Sequence, residues 1–158
     1  MKTFKKIMEE LTKQGKTIAT MESCTGGGVA NAITNIEGAS EVLKYSAVTY
    51  SNEYKIKMGV KKETIDTYSV YSMETAINMA EAISDFASAN IGVGITGKLN
   101  RVDKNNPYGE DNVVFVCVFD KDTKKYYKTK IEAIKSSRKL NKDLVIEEII
   151  EIIEKNVL

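Results

Sequence analysis

Residues Thr17-Ile18-Ala19-Thr20-Met21-Glu22-Ser23-Cys24-Thr25-Gly26-Gly27-Gly28 lead directly into Val29-Ala30-Asn31-Ala32-Ile33. The apolar, β-prone run from Thr17 to Met21 reads as a strand, and Thr25 to Thr34 reads as a helix opened by glycines. A strand passing through a tight polar turn into a helix places a hydroxyl, that of Ser23, among backbone N–H groups with no partner inside the helix. Such a point suits an anion or a developing oxyanion. It also suits a plain strand-to-helix turn in which glycines relieve crowding.

Outward from this stretch, helices and strands alternate. Phe4, Ile7, Met8 and Leu11 recur at helical spacing and Gly15 follows as a C-terminal cap, so Thr3 to Gln14 is an amphipathic helix. Tyr45 to Ser51 is β-rich in residue type, and Asn52 opens a short helix, Glu53 to Met58, closed by Gly59. Ser72 caps a helix from Met73 to Ser88 with Ala76, Met79, Ala80, Ile83 and Phe86 on its apolar stripe. Ile91 to Ile95 is a short buried strand. Lys98 to Asn112 is polar, holds the single proline, Pro107, and reads as a long loop. Val113 to Phe119 is continuously apolar, as expected of a strand covered on both faces, and Tyr126 to Ile131 pairs with it across the turn at Asp120 to Lys124. A last helix runs from Lys139 to Lys155 with Ile146, Ile149, Ile150 and Ile153 on one face. The pattern implies an α/β fold, a three-layer α/β/α sandwich over a mixed central sheet, with residues 1–158 as a single domain.

Composition excludes several classes of function. With 23 basic and 22 acidic residues the net charge is +1, so no electrostatic footprint for nucleic acid stands out. The run Lys121 to Lys130 reads as a solvated hairpin. No apolar run approaches a membrane span, and the charged N-terminus has no signal-peptide core. Cys24 and Cys117 match no metal-ligand spacing, and a reduced, cytoplasmic setting is the simplest reading. There is no histidine. Ser-His-Asp and Cys-His catalysis are thereby excluded, and a nucleophilic Ser23 needs a lysine, carboxylate or tyrosine as its base.

Tyr50-Ser51-Asn52-Glu53-Tyr54-Lys55 lies at a strand end and the first turn of a helix, the same kind of place as Ser23. In open α/β sheets ligands bind at the carboxyl ends of strands, so the two stretches are expected to line one crevice. A lysine in a helix's first turn opposes the macrodipole, which lowers an amine's pKa, as does burial. A lysine so placed can take a proton from a serine hydroxyl. Ser136-Ser137-Arg138-Lys139 formally matches S-x-x-K but has neither companion motif, and is a chance match.

Glu22-Ser23-Cys24-Thr25-Gly26-Gly27, then Tyr50-Ser51-Asn52-Glu53-x-Lys55, then Thr96-Gly97 after a strand, resemble the CinA C-terminal domain family in order and spacing. Ser72-Met73-Glu74-x-Ala76, opening the central helix, extends the resemblance over nearly the whole chain. That family includes stand-alone nicotinamide mononucleotide deamidases of the PncC type. The resemblance implies an amidohydrolase with Ser23 as nucleophile, Lys55 as general base and Tyr50 as proton relay or orienting group. It implies substrate contacts from Cys24, Thr25, Gly26, Gly27, Ser51, Asn52, Thr96, Gly97 and Arg138. It also implies a small nucleotide as substrate, no metal or other cofactor, and a homo-oligomer, commonly a dimer. The phosphate is expected at a helix N-terminus or against Arg138.

The sequence departs from the family after Gly97. Lys98-Leu99-Asn100-Arg101-Val102-Asp103-Lys104-Asn105-Asn106 replaces a glycine/proline-rich loop, so side-chain charges at Lys98, Arg101 and Lys104 stand where the family uses close backbone approach. Arg138 and Lys142 stand roughly where the family has two spaced arginines. Two other readings of the same residues stay open: a non-catalytic nucleotide- or partner-binding protein, and a serine–lysine amidase for another small amide.

Overall fold

The computed structural model describes residues 2–99 and 110–158. Alternating helical and β-prone segments at the N-terminus set its layout: helix α1 (Lys5–Gln14), strand β1 (Ile18–Glu22) and helix α2 (Gly28–Thr34). Strand β2 (Leu43–Val48), helices α3 (Asn52–Lys57), α4 (Lys62–Tyr68) and α5 (Met73–Ala87), and strand β3 (Ile91–Gly97) follow. Strands β4 (Val113–Asp120) and β5 (Lys125–Glu132) form a hairpin, and helix α6 (Arg138–Asn156) ends the chain. The sheet order is β2-β1-β3-β4-β5. β1 pairs in parallel with β2 and β3, whereas β3–β4 and β4–β5 are antiparallel. The mixed sheet and three layers expected from the sequence are therefore present.

One face of the sheet is covered by α1, α2 and α6, whose Phe4, Ile7, Leu11, Val29, Ile33, Val145, Ile149 and Ile153 pack on Val93, Ile95, Val114 and Val116. The other face is covered by α5. Because side chains alternate along a strand, Gly92 and Gly94 of β3 face this helix. A Cβ at Gly92 would lie 2.1 Å from the Ala80 carbonyl oxygen, and one at Gly94 would lie 2.3 Å from that of Ala76. The helix answers with Ala76, Ala80 and Ser84 at four-residue intervals, so the helix backbone sits almost directly on the strand.

Several boundaries differ from the sequence reading. β2 ends at Val48, because Thr49 turns to donate its N–H to the Glu22 carbonyl at 2.8 Å. Tyr50 and Ser51 are thus outside the strand, and Ser51 caps α3 by accepting from the Tyr54 N–H at 3.3 Å. Residues 25–27 form a turn, with Gly26 at φ 61° and Gly27 at φ 94°, and the helix starts only at Gly28. Left-handed backbone is strained for side-chain-bearing residues, which accounts for glycine at both places. α4 was not expected. It buries no residue fully, so it carries no apolar stripe for periodicity to detect. Within residues 98–112, positions 100–109, including Arg101, Lys104 and Pro107, lie outside the described residues. Among the described residues no helix is long and apolar enough to cross a membrane.

Candidate active site

Parallel strands β1, β2 and β3 all end on one edge of the sheet, and the predicted residues collect there. Ser23 directly follows β1. Lys55 projects inward from α3, where only 2% of it is exposed, against 7% for Ser23. Its Nζ lies 3.0 Å from Ser23 Oγ and 2.6 Å from the Thr49 carbonyl oxygen. A carbonyl can only accept, so one Nζ hydrogen is committed to Thr49 and orients the amine. The same amine donates to the Ser23 hydroxyl oxygen, and in its neutral form an amine so placed can accept that hydroxyl's proton. Lys55 lies in the last turn of α3 rather than in its first, the end at which the helix dipole favours a cation.

The turn is held from below by Glu22. This carboxylate is fully buried; Oε1 accepts from Thr25 Oγ1 at 2.6 Å and from the Val29 N–H at 2.9 Å, and Oε2 accepts from the Ala30 N–H at 2.9 Å. α2 has no side-chain cap from Gly27, its N-cap residue. Its first donors are instead satisfied by a negative charge from the preceding strand, which also matches the sign of the helix dipole there. Within the turn the Gly26 N–H goes to the Ser23 carbonyl and the Gly28 N–H to the Thr25 carbonyl, each at 3.0 Å. The N–H groups of Thr25 and Gly27 have no acceptor among the described residues.

Cys24, beside Ser23, is buried, and that burial pushes its thiol up to about 12, against the opposing influence of the nearby Lys55 amine and, more weakly, Arg138. A thiol so held is protonated at neutral pH and is no competing nucleophile.

The other predicted residues divide. Arg138, the first residue of α6, donates from Nη2 to the Tyr50 hydroxyl at 3.5 Å. Tyr50 itself is 66% exposed, so its hydroxyl stands at the mouth of the site with Arg138. Ser51 is engaged as the α3 cap and Asn52 is the first residue of that helix. Thr96 is buried, and its hydroxyl donates to the Val70 carbonyl at 2.9 Å, tying β3 to the segment before α5. A Cβ at Gly97 would lie 2.4 Å from the Val113 carbonyl oxygen, so glycine there serves the β3–β4 pairing. Thr96 and Gly97 thus have structural duties at the site's edge.

Three groups at the site were not singled out as site residues by the sequence reading. The Thr49 carbonyl accepts from Lys55 Nζ, and the Glu22 carboxylate holds Thr25 and the opening of α2. Lys142, one turn beyond Arg138, brings its Nζ to 3.4 Å from where a Gly26 Cβ would stand. The i, i+4 spacing of Arg138 and Lys142 was visible and puts both cations on one helix face. A buried glutamate as a helix cap seven residues downstream has no spacing rule to reveal it.

Comparison with known proteins matches a family model described as the CinA C-terminal domain over residues 1–157. A CinA-like protein of Kosmotoga olearia is 49% identical over 92 residues, a match covering 58% of this chain but 22% of that protein. The chain thus spans about a fifth of the length of such curated relatives. Among solved structures, the competence/damage inducible protein CihA of Agrobacterium tumefaciens superposes with a TM-score of 0.84 at 28% identity, covering 94% of this chain and 90% of that one. A CinA superfamily protein of Escherichia coli superposes with a TM-score of 0.82 at 22% identity, covering 95% and 86%.

Proposed function

Because this chain belongs to the CinA C-terminal domain family, we propose that it is an amidohydrolase that converts nicotinamide mononucleotide to nicotinate mononucleotide and ammonia. The observation that carries the reading is the buried Lys55 Nζ at 3.0 Å from Ser23 Oγ, aimed by the Thr49 carbonyl. Ser23 Oγ attacks the carboxamide carbon while its proton passes to Lys55 Nζ. The N–H groups of Thr25 and Gly27 face the oxyanion that forms. Collapse of the tetrahedral intermediate breaks the C–N bond, and the Lys55 ammonium returns its proton to the departing nitrogen, which leaves as ammonia. Water then attacks the acyl-serine, its proton taken by Lys55 Nζ, and that proton passes to Ser23 Oγ as the C–Oγ bond breaks and nicotinate mononucleotide leaves. Arg138 and Lys142, on one face of α6 beside the turn, supply the charge for the phosphate, and Tyr50 orients the substrate together with Arg138.

Ammonia release from nicotinamide mononucleotide by the purified protein tests this directly. Ser23→Ala and Lys55→Ala are each expected to lower kcat by about 10³-fold or more, because groups that act as a unit fail together. Turnover that survives Ser23→Ala refutes the mechanism. Ammonia release from other small amides but not from this nucleotide refutes the substrate and leaves the serine–lysine chemistry standing.

A further inference from the structure

We infer that Glu22 is a positioning residue for the Ser23–Lys55 pair, its carboxylate acting as an internal anion that holds the nucleophile turn in register. The inference rests on the serine–lysine reading above and goes beyond it. Glu22 has 0% exposure and, among the described residues, no cationic partner within 4 Å. A buried carboxylate is costly unless its oxygens are satisfied, and with Gly27 at φ 94° the N-cap position of α2 cannot take the extended backbone from which a serine or threonine caps a helix. What the distant carboxylate adds is a span. It grips Thr25 within the turn and Val29 and Ala30 beyond it, so both ends of the Ser23–Gly27 segment are fixed to the end of β1.

The main chain of the same residue fixes the other partner. The Glu22 carbonyl accepts the Thr49 N–H at 2.8 Å, and the Thr49 carbonyl holds Lys55 Nζ. A closed ring of contacts therefore runs from Glu22 through Thr49 and Lys55 to Ser23 and back along the chain. The carboxylate also sorts the turn's donors: it consumes the Val29 and Ala30 N–H groups and leaves those of Thr25 and Gly27 for the oxyanion. The N-terminus of α2 is consequently closed to a substrate phosphate, which must be met elsewhere.

The test is covalent labelling of Ser23 by an alkyl fluorophosphonate, in which Oγ displaces fluoride from phosphorus, Lys55 takes the hydroxyl proton, and no knowledge of the substrate is needed. The labelled peptide is identified by mass spectrometry, and kinact and KI are measured separately. Glu22→Gln keeps the volume but turns an NH₂ group toward the Ala30 N–H. It is expected to lower kinact by about 10²-fold, the order caused by a misplacement near 1 Å, with KI within about twofold. Amide exchange at Val29 and Ala30 should accelerate in step. Thr25→Val should also lower kinact, and Thr25→Ser should restore it. Labelling of folded Glu22→Gln at the wild-type rate overturns the inference; where that variant does not fold, equal labelling of Thr25→Val and Thr25→Ser overturns it. An unlabelled wild-type Ser23 is a different failure, that of the serine–lysine reading itself.

Discussion

Gly94→Ala replaces one hydrogen by a methyl at the place where α5 rides on the sheet. The new Cβ would stand 2.3 Å from the Ala76 carbonyl oxygen, 2.6 Å from the Ala80 nitrogen and 2.8 Å from Met79 Cβ. None of these belongs to the free end of a side chain, so no rotamer change relieves the clash. Reaching ordinary contact requires α5 to withdraw by about 1 Å, and a gap of that size forfeits up to about half of each affected dispersion contact along the helix. Overpacking of this kind costs about 3 kcal/mol, against about 0.5–1 kcal/mol recovered from the lower entropy of alanine in the unfolded chain. The net loss, about 2 kcal/mol, is a sizeable part of a domain's stability of about 5–15 kcal/mol. It corresponds to a fall in Tm of about 4–8 °C for a chain of this size. Urea and thermal unfolding followed by circular dichroism measure it, and Gly28→Ala serves as the comparison. There the nearest atom, at 3.1 Å, is Ile146 Cδ1, a side-chain tip that can give way, and φ is not positive. That substitution should cost less than about 1 kcal/mol. A Gly94→Ala protein as stable as Gly28→Ala would refute the view that the β3 glycines exist to seat α5.

Three further outcomes are expected. Burial pushes the Cys24 and Cys117 thiols from 9.0 to about 12, so at pH 8 about one thiol in 10⁴ is ionised; a thiol reagent should titrate neither in the native protein and both after denaturation. Because the folded values lie above the unfolded ones, the corresponding stabilisation is intact below pH 9.0 and is lost as pH rises towards about 12. The slope is at most about 1.4 kcal/mol per pH unit for each thiol, and denaturant midpoints of wild type and Cys117→Ala between pH 8 and 10 should diverge in that sense. Tyr50→Phe removes only an exposed hydroxyl bonded to Arg138, so it should raise KM for the mononucleotide several-fold with kcat within about threefold; a fall in kcat matching that of Lys55→Ala would restore Tyr50 to the proton path.

Much of the architecture was legible without coordinates, because each main element carries its own period. The α1 stripe, the continuously apolar β4 and the Ser72-capped α5 were read within a residue or two of their observed bounds. α4 escaped because it is held by neighbours rather than by an apolar face of its own. At the site, Ser23 and Lys55 were named from the missing histidines and the spaced motifs, and the structure brings them within hydrogen-bonding distance.

By itself, then, the sequence determined the strand–turn–helix unit, the three-layer class, the exclusion of histidine chemistry and the identity of the nucleophile candidate. These follow from local periodicity, turn stereochemistry and composition, which need no distant partner. Tertiary structure alone decided that Lys55 turns inward, that Tyr50 faces solvent with Arg138, that Thr96 ties β3 to the segment before α5, and that Gly97 serves the β3–β4 pairing. It alone decided that Glu22 gives its charge to the helix opening behind Ser23. Each of those outcomes depends on groups distant along the chain, and burial of a charged or polar side chain is settled only when the partners that satisfy it arrive together.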